Sequence, residues 1–224
     1  MRIPRIGFAT IGQAPRSDTV PHILEALGMP VEAVEAGGLD GVDDQQIATL
    51  GPRDGEYAFA TRLADGRQVV LGKSAAEERL APVLRDLDTR GLDLIVALCA
   101  GTSLPPLANT LLIEPQRIVD GITAALAASC RRIGIVLPLH EQMARFHFEA
   151  DVAAEVRLAH ASPYAGDRFL EAGRELAGCD LVVMHCMGYT PAMRTRVATG
   201  AGVPTVSAPE LVAGVIRQLL DRPR

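Results

Sequence analysis

The chain has 224 residues, 48% of them hydrophobic and 22% charged, the composition of a folded protein with one large core or two small ones. Net charge is −5 with no basic cluster, which argues against nucleic acid and anionic membrane as partners. No apolar run reaches the roughly 18 residues of a membrane span, and Met1-Arg-Ile-Pro-Arg5 lacks the apolar stretch of a signal peptide, so the expected location is cytoplasmic.

Arg5 to Ile11 reads as a first strand, followed by the loop Gly12-Gln-Ala-Pro-Arg16 and a helix capped by Ser17 or Asp18. Val31 to Ala36 is a second strand, ended by Gly37-Gly38. Asp43 to Leu50 is a short helix. Then Tyr57–Leu63 and Gln68–Leu71 flank Ala64-Asp-Gly66, the signature of a hairpin. It reads as an insertion or an edge hairpin, and two places for it stay open, an interface or a lid. Ala75 to Arg90 is a helix with Leu80, Val83, Leu84 and Leu87 on one face. Leu92 to Cys99 is a strand. A helix follows from Pro115 to Ala128.

The second half opens on Arg132-Ile-Gly-Ile-Val-Leu137, which echoes Arg5-Ile-Gly-Phe. Pro138 to Ala150 is expected as a helix, Glu155 to Ala161 as a strand, and Asp167 to Ala177 as a helix. A strand then runs into Cys186. Thr190-Pro191 caps and opens a helix. Val203 to Val206 is the last strand, and Ser207 to Glu210 a capping box before the final helix. Alternating strands and helices predict an α/β fold: two pseudo-symmetric parallel-sheet halves facing one cleft. The expected division is 1–114 and 115–207, with helix 208–224 packing back on the first half.

The halves share one unit. Leu92-Asp-Leu-Ile-Val-Ala-Leu-Cys-Ala-Gly-Thr-Ser103 aligns with Cys179-Asp-Leu-Val-Val-Met-His-Cys-Met-Gly-Tyr-Thr190 at an offset of 87, with Cys99 matched to Cys186. Each is an apolar strand ending in Cys-x-Gly and hydroxyls. Ligands bind at such carboxyl ends in α/β sheets. Two thiols across a cleft suit a two-base reaction, in which a thiolate removes a proton from a carbon acid and a thiol returns one to the opposite face. The amides of Ala100, Gly101, Met187 and Gly188, with Thr102, Ser103, Tyr189 and Thr190, are expected to hold a substrate carboxylate. Arg16 faces the same cleft as a candidate clamp for a second carboxylate or another polar substituent of the substrate. Cys130 and Cys179 have no matched context and read as structural. His185 is expected under the sheet, since adjacent strand residues point to opposite faces. No Cys-x-x-Cys pair, dinucleotide fingerprint or metal-ligand spacing occurs, so no cofactor and no metal are expected.

The segments Ile6-Gly-Phe-Ala-Thr-Ile-Gly-Gln-Ala-Pro-Arg16-Ser-Asp18, Asn109-Thr-Leu-Leu-Ile-Glu-Pro115 and Cys186-Met-Gly-Tyr189 resemble AroM-family proteins, within the aspartate/glutamate/hydantoin racemase superfamily. The resemblance runs nearly end to end. It implies cofactor-independent chemistry with Cys99 and Cys186 as the two thiols and Thr102, Ser103 and Thr190 in the carboxylate loops. Amino-acid racemases of this group carry Cys-Asn-Thr and Cys-Thr-His, where this chain has Cys-Ala-Gly-Thr and Cys-Met-Gly-Tyr. The acid common at the end of their first strand is replaced here by Thr10 to Gln13, so Thr10 and Gln13 join the candidate site. The expected activity is a racemase or epimerase of a small 2-substituted carboxylic acid. The alternatives are a cysteine-dependent isomerase or decarboxylase and a non-catalytic small-acid binding protein. A homodimer is expected on the general frequency of symmetric oligomers.

Overall fold

The computed structural model describes residues 2–99, 101–147 and 152–221. The first sheet joins β1 (Arg5–Thr10), β2 (Glu32–Gly37), β5 (Leu94–Ala97) and β6 (Leu112–Ile113), all parallel, in the order β2-β1-β5-β6. The second joins β7 (Arg132–Leu137), β8 (Glu155–His160), β9 (Leu181–Met184) and β10 (Thr205–Ser207), also parallel. Its order, β8-β7-β9-β10, repeats that of the first sheet element for element. This is the α/β fold of two similar parallel-sheet halves.

The repeat extends to individual bonds. Asp93 accepts from Arg5 N at 2.9 Å, and Asp180 accepts from Arg132 N at 2.9 Å. Arg5 Nε reaches Glu32 at 2.9 Å, and Arg132 Nε reaches Glu155 at 3.0 Å. A side chain on Gly7 would strike Leu92 at 2.7 Å, and one on Gly134 would strike Leu176 at 3.0 Å. The shared Arg-Ile-Gly and Asp-Leu signatures therefore fasten the same strand pair in each half.

Strand residues alternate between two buried faces, as a sheet covered on both sides requires. Ile6, Phe8 and Val96 join Ile133, Ile135 and Val183 in one core that spans both sheets. Three helices close it: α1 (Val20–Leu27), α4 (Pro115–Ala127) and α8 (Ala208–Leu220), with α8 packed on α1 and α4. Val212 and Ile216 of α8 lie within this core, where truncating such an Ile costs ~2–5 kcal/mol. The other face of the first sheet, with Ala9, Ile95 and Ala97, packs under α3 (Lys73–Asp88). The other face of the second, with Val136, Val182 and Met184, packs under α6 (Phe169–Glu175) and α7 (Pro191–Ala201). Among the described residues no helix is long and apolar enough to cross a membrane.

The hairpin forms a separate sheet of β3 (Ala58–Arg62) and β4 (Gln68–Gly72), paired antiparallel from Ala58 against Gly72. Three local expectations shift. Helix α1 starts at Val20 after Thr19, not after Ser17 or Asp18, because the Asp18 carboxylate is taken by Arg16 at 2.9 and 2.8 Å. The helix expected over 138–150 is a single turn, α5 (His140–Met143); beyond it the Arg145 guanidinium donates to Gly55 O at 2.6 Å, and 148–150 lie outside the described residues. In the expected box before α8, the Ser207 hydroxyl bonds the Glu210 carboxylate at 2.7 Å and makes no bond to a helix amide. Helix α2 (Asp44–Ala48) forms as expected, with Asp43 accepting from Gln46 N at 2.8 Å. Residues 222–224 of the expected C-terminal helix lie outside the described residues.

Candidate active site

Cys99 and Cys186 each sit two residues past the carboxyl end of a central strand, β5 and β9. Both line one narrow chamber, with Ile11, Phe59, Thr61 and Tyr164. Its volume of about 20 Å³ admits a single water. Cys99 is 8% exposed.

The loop after Cys99 is fixed from outside. Glu114 accepts from Leu104 N at 2.6 Å, and Glu77 accepts from Ser103 N at 2.8 Å. Ser103 is exposed, whereas Thr102 is buried and its Oγ1 has no partner among the described residues. Gly101 lies under the ring of Phe59, where a β-carbon would come within 2.3 Å of it. Ala100 lies outside the described residues.

The loop after Cys186 is organised by Tyr164. Gly188 N donates to Cys186 Sγ at 3.4 Å, and any side chain on Gly188 would meet the Tyr164 hydroxyl at 2.2 Å. Glycine therefore lets Tyr164 close over the thiol. Met187 is buried in the core between the sheets. Tyr189 points the other way, donating its hydroxyl to Ala161 O at 2.9 Å. Thr190 caps α7 by accepting from Met193 N at 3.4 Å.

Arg16 is 2% exposed and fully engaged. Its guanidinium donates to Thr10 at 3.0 Å, to Asp18 at 2.9 and 2.8 Å, and to the Tyr164 hydroxyl at 3.1 Å. It also stands 5.3 Å from the centre of the Tyr164 ring. The structure thus makes Arg16, with Thr10 behind it, a holder of Tyr164 across the two halves. Gln13 holds the hairpin instead, accepting from Ala64 N at 2.8 Å while donating to Leu39 O at 3.2 Å.

The thiols differ electrostatically. Burial pushes the Cys99 thiol well up, and the neighbouring Cys186 adds to the rise; the Thr102 amide opposes it. Burial also raises Cys186, but the Gly188 amide, the Arg16 charge and a hydrogen bond from Tyr164 pull it back. The Gly188 amide, the Arg16 charge and the Tyr164 hydroxyl are thus grouped about Cys186. Burial raises Tyr57 and Tyr164 as well, so both stay protonated as donors.

Besides Tyr164, five residues of this region were not singled out as site residues by sequence. Tyr57, Phe59 and Thr61 come from the hairpin, which roofs the chamber. Thr61 is 1% exposed, and its Oγ1 has no partner among the described residues. Gln142 of α5 pins this roof by donating to Ala58 O at 2.9 Å. His185 lines the chamber rather than the underside of the sheet, since β9 ends at Met184 and strict alternation ends with it. Its Nε2 bonds Asp120 of α4 at 2.8 Å. His140 turns to His160, with ring centres 5.1 Å apart. Beyond Tyr57 and His185 opens a larger cleft of about 790 Å³, which Gly101, Thr102 and Ser103 also line. Of these residues only the hairpin carried a sequence signal, its Asp-Gly turn.

The model of the AroM protein family matches residues 6–220. The chain belongs to the AroM family. No curated protein sequence matches it. Its fold is similar to that of an aspartate racemase from Picrophilus torridus, at TM-score 0.58 and 10% identity, over 99% of this chain and 96% of that one. It is also similar to unliganded arylmalonate decarboxylase, at TM-score 0.57 and 15% identity, over 99% and 94%. The maleate isomerase Iso from Pseudomonas putida S16 is similar at TM-score 0.56 and 15% identity, again over 99% and 94%. The AroM chain thus has the Asp/Glu racemase fold.

Proposed function

We propose that this AroM-family protein is a cofactor-independent racemase or epimerase acting at the carbon α to a carboxylate. The observation that carries the reading is the shared chamber: two thiols from matched strand ends, one in each half, line the same narrow space. In one direction the Cys186 thiolate takes the α-proton, and the C–H electron pair passes into the carboxylate as an enediolate. The Cys99 thiol gives its proton to the opposite face of the same carbon. Cys186 is then the thiol and Cys99 the thiolate, which is the starting state for the mirror-image substrate. Loop amides after each cysteine, with the Thr61 hydroxyl, which has no partner among the described residues, stabilise the enediolate charge. Because the chamber as it stands admits one water, the hairpin roof lifts to admit substrate and closes to exclude solvent.

The unequal thiols favour a second reading. In an isomerase or decarboxylase of a small acid, Cys186 does the work and Cys99 assists. Fold relatives of both kinds exist, a maleate isomerase and an arylmalonate decarboxylase. Proton NMR in D2O on a panel of small chiral 2-substituted acids separates the two. Exchange of the α-proton together with loss of optical rotation is the result the proposal expects. Carbon dioxide release or double-bond isomerisation, with a stereocentre that keeps its configuration, would replace it by the second reading.

A further inference from the structure

The outer cleft is large for a passage. Its 790 Å³ lies in the range of sites that enclose a whole small molecule, and it joins the thiol chamber at Tyr57 and His185. Its charges are unevenly matched. Glu114 and Asp120 line it, but both are engaged within the protein: Glu114 with Leu104 N at 2.6 Å and Arg117 at 2.7 Å, Asp120 with His185 at 2.8 Å and with Gln116. The cations Arg145 and Lys73 are not comparably neutralised. Arg145 donates to the neutral Gly55 carbonyl at 2.6 Å, and Lys73 stands 3.7 Å from Glu77. Two buried polar atoms on the cleft wall, Thr102 Oγ1 and Gln116 Oε1, have no partner among the described residues. Leaving such atoms unpaired is costly unless a ligand completes them.

We propose that the outer cleft binds the far end of the substrate, and that this end carries an anionic group. The inference rests on the chamber as the place of proton transfer, and it makes the substrate an elongated acid. The reacting carboxylate end lies at the thiols, and the chain passes Tyr57 and His185. A distal carboxylate, phosphonate or sulfonate meets Arg145 and Lys73. Gln116 Oε1 accepts from a hydroxyl or N–H along that chain, and the Thr102 hydroxyl pairs beside it.

The test uses linear 2-hydroxy acids of about five to eight carbons and the same acids bearing an ω-carboxylate or ω-phosphonate, a length range suited to a site of this size. Calorimetry at low salt gives the affinity ratio of each ω-anionic acid to its neutral-ended partner, and NMR in D2O follows the α-proton in parallel. The expected ratio is on the order of tenfold or more at the best length, the contribution of a charge-assisted hydrogen bond. It falls with added salt and drops several-fold in Lys73→Met/Arg145→Met. In Arg145→Glu the preference turns to the ω-amino acid, a gain that an unfolded variant cannot give. A ratio near one at every length in the wild type overturns the proposal. So does a ratio that survives the double substitution. A clear ω-anion preference without exchange at any α-carbon supports the cleft as an anion site and sets aside the proton-transfer reading alone.

Discussion

Thr61→Val removes one hydroxyl and keeps the shape of the side chain. In the closed protein that hydroxyl is buried in the chamber and bonds no described group. An unpaired buried hydroxyl costs ~1–3 kcal/mol, so its replacement by a methyl leaves the fold unchanged or stabilises it. Val is also at home in a strand such as β3. For a chain of this length ~1 kcal/mol corresponds to about 2–4 °C in Tm, so Tm stays level or rises by a few degrees. Activity moves the other way. A hydrogen bond to a charged group contributes ~1.5–3 kcal/mol, so losing one to the enediolate slows α-proton exchange by roughly 10- to 150-fold. Thr61→Ser keeps the oxygen and retains most of the exchange. Differential scanning fluorimetry and NMR in D2O read both quantities on the same samples. A Tm that falls by several degrees would refute the reasoning, since the hydroxyl would then be paired in the fold. A raised Tm with undiminished exchange would refute it equally, by removing the hydroxyl from the chemistry.

Gly188→Ala places a methyl within 2.2 Å of the Tyr164 hydroxyl, so Tyr164 swings off Cys186; exchange falls at least tenfold and its pH profile moves to higher pH, because the thiolate loses a donor. Gln142→Ala frees the hairpin roof at the cost of two hydrogen bonds, one to the Ala58 carbonyl and one from the Leu139 amide, ~1–3 kcal/mol together, and is expected to speed alkylation of the chamber thiols while Tm drops by several degrees. Both chamber thiols are held above the ordinary thiol value, so the native state keeps protons that the unfolded chain releases. Stability is thus fully present below about pH 8.5 and declines as pH rises through the folded values, and Cys99→Ser makes that decline shallower in a Tm-against-pH series.

The thiol pair was legible because it is written twice. Cys99 and Cys186 stand in the same local string, and Asp93 and Asp180 fasten both strings to their neighbouring strands in the same way. Both lie just past the carboxyl ends of predicted parallel strands, where α/β sheets bind ligands. What surrounds the thiols was not legible, because it depends on contacts between distant segments. Arg16 reads in sequence as an anion clamp; only the approach of Tyr164, 148 residues away, turns it inward. Tyr57 and Thr61 belong to a hairpin whose pattern gives its pairing but not its place. His185 and Asp120 lie 65 residues apart and meet because β9 ends one residue before the histidine. The helix expected beyond Pro138 stops after one turn, and the Arg145 guanidinium just past its end bonds the Gly55 carbonyl, a contact 90 residues away in the chain.

The central claim is that Cys99 and Cys186 serve opposite faces of one carbon. The most direct measurement starts from each pure enantiomer of an active substrate, in D2O, with wild type, Cys99→Ser and Cys186→Ser. The account predicts that racemisation is lost in both variants, while each still exchanges the α-proton of one enantiomer, a different one for each variant, with configuration retained. Racemisation that persists in either variant, or exchange confined to the same enantiomer in both, would contradict it.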